Sequence, residues 1–355
     1  ATLPRTLRDR LGYRSFQTGK FWEGHYENAG FTDGVTVVQA APGQAFGGNR
    51  VLASGDVVAH GNGDRGLAIG RTTMQPLFDF IDACGEAPFL VWYAPFLPHR
   101  PHDPPAEFVD RYADRPDVPA HAVPYLASVS FFDHTVGQLV GHVEDRGLAD
   151  NTIFVFVVDN GWRPSSHRAP GSGDYEHTKR SKRAPFDDGL RTPILIRWDG
   201  HVAPATHPEL ASSIDLMPTL LSAVGLRDEA AGLPGRDLLP SATGRRPLDP
   251  DRAIFGEIYP GDASTLDCPA ADVAYRWVRQ GKLKLIVPHC HGRKPPWGGY
   301  LDEVAMYDVV ADPDETNNLA HDADYAERRR ALRRLLDDWW TPDQDDCPPP
   351  SGDDT

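Results

Sequence analysis

Ile153-Phe154-Val155-Phe156-Val157-Val158 runs without interruption into Asp159-Asn160-Gly161. Six successive apolar residues, rich in β-branched and aromatic types, read as a strand buried on both faces. In open α/β sheets ligands bind beyond the carboxyl ends of the strands, which is where this strand delivers a carboxylate, an amide and a glycine. Asp159 and Asn160 together offer two oxygen ligands to a hard cation such as Ca²⁺ or Mg²⁺. The same three residue types also build ordinary turns for conformational reasons alone. On this stretch by itself both readings stand.

Upstream, Pro88-Phe89-Leu90-Val91-Trp92-Tyr93-Ala94 is a second continuous apolar run and a second expected buried strand. It passes into a proline-rich loop carrying His99 and His102. An imidazole there could bind an anion or protonate a leaving group, or could simply sit on the surface. Between the two strands, apolar residues recur at Leu126, Val129, Phe132, Val136, Leu139, Val140 and Val143, an amphipathic helix over Val123 to Asp145 closed by Gly147. Downstream, Ile194 to Trp198 reads as a third strand and Ser213 to Val224 as a helix. At the start, Leu3 to Leu11 has a helical pattern ended by Gly12, and a short strand leads into Thr18-Gly19-Lys20. Phe31 to Gly70 reads as loops and short hairpins. Strands alternating with helices define an α/β protein with a mostly parallel sheet flanked by helices.

The character changes near Asp251. Tyr275 to Arg279 and Lys282 to Val287 alternate around Gln280-Gly281, a hairpin signal. Tyr325 to Trp340 is a last amphipathic helix whose Arg328, Arg329, Arg330, Arg333 and Arg334 would suit an anionic partner, although a solvated face is the expected reading. The expected organisation is an α/β domain over 1–250, a smaller C-terminal α+β subdomain over 251–340, and a disordered acidic, proline-rich tail over 341–355.

Against 36 Lys and Arg stand 51 Asp and Glu, a net charge of −15. That balance excludes a general nucleic-acid binder, whose affinity rests on phosphate neutralisation. No apolar run approaches the roughly 20 residues of a membrane-spanning helix, so no membrane partner is expected. The four cysteines contain no C-x-x-C pair. Cys268 and Cys290 flank the hairpin and could pair, although spacing cannot fix connectivity. The chain begins at Ala1 with no signal peptide, which leaves a cytoplasmic or an exported location open.

Lys20 and Lys182 are candidate anion clamps. Lys182 lies in Lys179-Arg180-Ser181-Lys182-Arg183, a basic island that a solvated loop would also explain. Asp187-Asp188, with no strand before it, reads as surface.

Taken in order, Thr18-Gly19-Lys20, Pro98-His99, Asp159-Asn160-Gly161, Ser181-Lys182, Asp188-Gly189-Leu190-Arg191-Thr192-Pro193 and Ser213-Ile214-Asp215-Leu216-Met217-Pro218-Thr219-Leu220-Leu221 resemble the sulfatase branch of the alkaline-phosphatase superfamily. Met306-Tyr307-Asp308 and Asp312-Pro313-Asp314-Glu315-Thr316-Asn317-Asn318-Leu319 fit the same pattern. The resemblance implies an alkaline-phosphatase-like fold and a sulfuric ester hydrolase acting on a small-molecule or saccharide sulfate. It implies that Asp159 and Asn160 are metal ligands of a calcium site. It also implies that Lys20, His99 and Lys182 are catalytic residues holding the sulfate, with His99 the proton donor to the departing alcohol; His102, delivered by the same loop, is expected as a further substrate contact. Fixed cations stabilise the charge that S–O cleavage develops without having to reorganise. An all-oxygen Asp-Asn pair favours one hard cation, whereas the related phosphodiester and phosphonate-ester hydrolases carry a histidine at the asparagine's place.

Two departures qualify the resemblance. The family reads Gly-Lys-Trp-His where this chain reads Gly19-Lys20-Phe21-Trp22-Glu23, and nothing licenses His25 as a substitute. No Cys-x-Pro-x-Arg motif, the source of the family's formylglycine nucleophile, occurs anywhere in the chain, nor do the paired aspartates of the metal site. Both features precede the Gly-Lys motif in the family. The expectation is therefore an N-terminally incomplete sulfatase-type chain with an incomplete calcium site, poorly stable alone and without sulfate-ester turnover. The alternatives are a phosphodiester or phosphonate-ester hydrolase of the superfamily and a non-catalytic anion-binding homologue.

Overall fold

Leu3-Pro4-Arg5 opens the first helix with a proline in the turn where no amide partner is required, and Gly12 ends it in the left-handed conformation at φ 68°. The computed structural model describes residues 2–20, 25–35, 48–51, 57–60, 68–168, 173–259, 268–289 and 300–342. Trp22, Cys290, Cys347 and nearly all of the 341–355 tail lie outside the described residues. In chain order the strands are β1 (Arg14–Gly19), β2 (Asp33–Gly34), β3 (Gly48–Val51), β4 (Val57–His60), β5 (Phe89–Ala94), β6 (Phe154–Val157), β7 (Pro164–Arg168), β8 (Tyr175–His177), β9 (Ile194–Arg197), β10 (Ala253–Ile258), β11 (Tyr275–Gln280), β12 (Leu283–Pro288) and β13 (Ala305–Asp308). The helices are α1 (Leu3–Leu11), α2 (Gln75–Cys84), α3 (Ala106–Ala113), α4 (Val123–Asp145), α5 (Asp187–Leu190), α6 (Leu216–Ala223), α7 (Leu239–Ala242) and α8 (Ala326–Trp339). The described parts of Ala1–Val51, Val57–Asp150 and Pro164–Glu176 form one compact unit, and those of Asn151–Arg163 and His177–Thr355 a second.

In the first unit β1 lies between β2 and β5, all parallel. Its centre is polar, yet Ser15, Gln17 and Thr18 are fully buried. Each finds a partner: Ser15 exchanges hydrogen bonds with Thr32, the Gln17 amide donates to the Gly19 carbonyl at 3.3 Å, and the Thr18 hydroxyl donates to the Trp92 carbonyl at 3.0 Å. Phe80 of α2 stacks on Phe16 of β1 at 5.1 Å between ring centroids. Leu97, Phe108, Ala127 and Phe131 form a further core where α3 meets α4. The β3–β4 hairpin supplies the short strands expected between Phe31 and Gly70.

Burial of the two apolar strands departs from expectation. Trp92 in β5 is 48% exposed and Val157 in β6 is 38% exposed. β5 is an edge strand with β1 as its neighbour, and β6 pairs with β9 alone, antiparallel, among the described residues. A strand with a single hydrogen-bonded neighbour leaves apolar side chains on its open side partly in water, whatever its composition.

The second unit contains the antiparallel sheet β10–β11–β12–β13, with the expected hairpin turning at Gly281. Alternation sends Leu285, Val287 and Val278 to the face under α8, where they meet Leu332 and Leu336. Tyr275, Ile286 and Tyr307 go to the other face, against Ala184 and Phe186. Arg276 lies beneath the helix and donates to the Leu336 carbonyl at 3.3 Å and to Asp337 at 2.9 Å, a cation closing a helix C-terminus.

Asp215 organises the start of α6. It accepts from the Ser212 and Arg236 amides, each at 2.8 Å, and takes both guanidinium nitrogens of the buried Arg252 at 2.7 Å. Asp215 pairs with Ser212 in a capping box, which explains why the Ser-Ser-Ile-Asp sequence begins a helix at this point.

Candidate active site

In the first unit the β1–β5 register sets Gly19 opposite Ala94, so both strands end together. The Lys20 amide donates to the Ala94 carbonyl at 2.7 Å. Gly19 takes φ 74°, and a side chain there would place its first carbon 1.7 Å from the Ala94 oxygen. Only glycine fits, and this close approach puts Lys20 beside the segment that leaves β5. Phe96 and Leu97 anchor that segment in the core, and the Leu97–Pro98 and Arg100–Pro101 peptides are cis.

His99 comes next. Its Nδ1 lies 2.8 Å from the Arg100 carbonyl oxygen, which can only accept, so Nδ1 carries the hydrogen and Nε2 is the nitrogen that gains and loses a proton. Arg71 binds the same loop, donating to the His99 and Pro101 carbonyls at 3.2 Å each and pairing with Asp103. His102 turns inward: its side chain is 2% exposed, packs edge-on against Tyr125, and its amide donates to Asp174 at 3.0 Å. Burial pushes the His102 imidazole below the usual histidine range, with nearby Asp174 opposing the shift.

In the second unit β6 delivers Asp159-Asn160-Gly161 to α5. The Gly161 amide donates to the Gly189 carbonyl at 2.9 Å, and a side chain on Gly161 would meet the Asp188 oxygen at 2.1 Å. Gly189 in turn touches the next segment, where an added carbon would lie 2.2 Å from the Ser181 oxygen. Two glycines thus stack three chain segments and bring Asp159 and Asn160 to the stretch that carries Lys182. The Lys182 ammonium stands over the Trp162 ring, 5.8 Å from its centroid.

The basic island does several jobs. Arg180 lies over Phe186 and donates to the Asp314 and Glu315 carbonyls at 2.9 Å each, while Ser181 is fully buried. Arg183 takes φ 70°, a left-handed conformation unfavourable for a side-chain-bearing residue.

The Asn160 amide nitrogen donates to the Gly161 carbonyl at 2.9 Å, which turns its oxygen to the opposite side. With the Asp159 carboxylate this makes an all-oxygen donor pair, chemistry suited to a hard cation. Among the described residues no group of three His, Cys, Asp or Glu stands together at a metal-binding separation.

Asp187, read from the sequence as a surface residue, is instead the hub of a buried network. The Lys284 ammonium, fully buried in β12, lies 2.7 Å from Asp187 and 2.6 Å from Glu315. Glu315 accepts from the Asp187 amide at 2.5 Å, and Arg279 pairs with Asp187 at 3.2 Å. Burial pushes the Glu315 carboxyl upward while Lys284 opposes it. The network fastens the Asp312–Leu319 segment to α5, which itself carries the glycine contacts to Gly161 and Ser181, the neighbours in sequence of Asn160 and Lys182. A lone lysine in the apolar run Leu283 to Val287 was the sequence signal for it. Cys268 is disulfide-bonded.

Residues 1–226 match the sulfatase family, and residues 175–341 match the C-terminal region of N-sulphoglucosamine sulphohydrolase. The chain belongs to the sulfatase family of the alkaline-phosphatase superfamily. Arylsulfatase A of Homo sapiens is 28% identical over 253 residues, covering 66% of this chain and 45% of the relative. N-acetylglucosamine-6-O-sulfatase of Bacteroides thetaiotaomicron is 29% identical over 219 residues, covering 60% of this chain and 34% of the relative. The chain thus spans less than half the length of these relatives. A structure solved in complex with its substrate D-glucosamine-2-N,6-O-disulfate superposes with a TM-score of 0.66 at 18% identity, over 98% of this chain and 83% of the other. The α/β class read from strand and helix alternation is borne out by this likeness.

Proposed function

We propose that this chain carries the sulfuryl-holding part of a sulfate-ester hydrolase acting on a sulfated saccharide. The observation that carries the reading is the double glycine contact of Gly161 and Gly189, which joins the Asp159–Asn160 donor pair to the Lys182 segment. Lys20 and Lys182 supply fixed positive charge to the sulfuryl oxygens, and a preformed cation costs no reorganisation when negative charge develops. His99 donates the Nε2 proton to the departing oxygen, while its Nδ1 hydrogen bond holds the ring's tautomer and orientation. Asp159 and Asn160 would hold Ca²⁺, whose charge would polarise the ester. His102 acts through the loop, which its buried ring fixes against Tyr125. Saccharide esters are favoured because the similar proteins named above include an N-acetylglucosamine-6-O-sulfatase and a protein crystallised with a glucosamine disulfate.

Calorimetric titration of the chain with inorganic sulfate and with Ca²⁺ tests the reading. Sulfate should bind, and Lys182→Ala should weaken it about tenfold or more, the loss of one charge-assisted contact. Absence of sulfate binding would refute the proposal. Preference for Mn²⁺ or Zn²⁺ over Ca²⁺ would move it to the phosphodiester or phosphonate-ester class. With no Cys-x-Pro-x-Arg motif in the chain, binding is expected without turnover of an aryl sulfate, and measurable turnover would overturn that expectation.

A further inference from the structure

Helix α8 buries Leu332 and Leu336 and turns Arg329, Arg330, Arg333 and Arg334 toward an open groove of about 550 Å³. The groove is floored by Val304 and Ala320, with Glu303 and His321 also lining it. Arg329 with Arg333, and Arg330 with Arg334, stand at i,i+4 spacing, where like charges repel and destabilise the helix. One of the four is neutralised: Arg333 pairs with Asp337 at 2.7 Å. Glu303 is engaged with His321 at 3.4 Å. Arg329, Arg330 and Arg334 make no ion pair or hydrogen bond among the described residues. A protein of net charge −15 therefore holds, around one concavity, three guanidinium groups with no direct partner among the described residues, against the single carboxylate of Glu303.

We propose that this groove is a second binding site, for a sulfated polysaccharide chain, separate from the Lys182 segment. The proposal rests on the sulfated-saccharide reading for its choice of ligand. The positive charge of the groove comes from α8, and its floor from Val304 and Ala320. Guanidinium groups pair bidentately with sulfate as they do with carboxylate and phosphate, and three of them suit a ligand bearing several anionic groups. The apolar floor suits the hydrocarbon face of a sugar ring. Such a site would retain a polymeric substrate between successive encounters with the catalytic residues.

Dextran sulfate binding to the chain, followed by calorimetry over a range of salt concentrations, is the test. Affinity should fall as salt rises, because each neutralised charge on the polymer releases a counterion. The triple variant Arg329→Ala/Arg330→Ala/Arg334→Ala, confirmed as folded by its urea transition, should bind about tenfold or more weakly. The corresponding triple lysine variant should keep most of the affinity. Lys182→Ala should leave dextran sulfate binding in place while weakening inorganic sulfate. If Lys182→Ala abolishes polymer binding and the arginine variant does not, the groove proposal falls and the sulfatase reading stands. If inorganic sulfate fails to bind but the groove still binds the polymer, the sulfatase reading falls and the groove remains. Polyglutamate binding as tightly as dextran sulfate would overturn the choice of a sulfated ligand.

Discussion

β5 and β12 show how little composition alone says about burial. β5 reads Phe-Leu-Val-Trp-Tyr-Ala, without a charge, and leaves Trp92 48% exposed. β12 reads Leu-Lys-Leu-Ile-Val-Pro, with a lysine near its centre, and Lys284 is fully buried. The difference lies in what covers each strand. β12 sits inside a four-stranded sheet with α8 on one face and the Ala184–Phe186 segment on the other. β5 is the edge of a three-stranded sheet. Cover, rather than hydrophobicity, decides which side chains hold the fold, and the buried charge is where the larger energies are stored.

The strongest attack on that comparison is Glu315→Ala. It leaves the Lys284 ammonium with Asp187 alone, and removing one partner of a buried ion pair typically costs about 3–5 kcal/mol. The urea midpoint of the chain should fall accordingly, and a loss below about 1 kcal/mol would mean that water reaches Lys284. Glu315 also holds φ 50°, a conformation that side-chain-bearing residues rarely adopt, and its ion pair offsets that strain. Next in size is Leu285→Ala, a fully buried site between β12 and α8, expected to cost about 2–5 kcal/mol by lost burial and a residual cavity.

Legibility followed the same division. The α/β class, the helix over Val123 to Asp145, the hairpin at Gln280-Gly281 and the family membership were all readable. Each depends on local periodicity, on turn residues or on motifs in fixed order. Burial of β5 and β6 was not, because an apolar run states what a strand can tolerate and not what lies over it. Asp187 was misread for the converse reason. Two adjacent aspartates after a proline and a phenylalanine resemble a solvated turn, and the burial of Asp187 depends on Lys284 and Glu315, roughly a hundred residues away in the chain. The site shows both behaviours: Gly19 and Gly161 belong to motifs visible in the sequence, whereas the contacts that make glycine obligatory at each come from Ala94 and Asp188.

His102 gives a smaller and more specific effect, one that depends on pH. Its folded pKa lies below the value of about 6.5 for an unfolded histidine, because burial against Tyr125 disfavours the charged ring. In the window between the two values the unfolded chain binds more protons than the folded one. The stability contributed by the neutral ring is therefore complete above about pH 6.5 and lost as pH falls through the folded pKa. Asp174 opposes the shift, while Arg100 and Arg71 reinforce it. Urea midpoints measured between about pH 5 and pH 7.5 should decline toward acid in the parent chain, and the decline should be shallower in His102→Gln. Equal slopes would place the His102 ring in contact with solvent.

The smallest expected effect tests the exposed side of the comparison. Trp92→Ser removes the largest side chain of β5, and in a covered strand that truncation would cost about 3–5 kcal/mol. Nearly half of Trp92 is already in water. The Thr18 hydroxyl bonds the Trp92 carbonyl rather than its ring, so the backbone ladder survives the change. The expected shift in the urea midpoint is within about 1 kcal/mol, closer to a surface substitution than to a core one. A loss of core size would mean that another layer covers β5 in solution. The apolar run would then be buried on both faces as its sequence implies, and the contrast with β12 would reduce to one of charge alone.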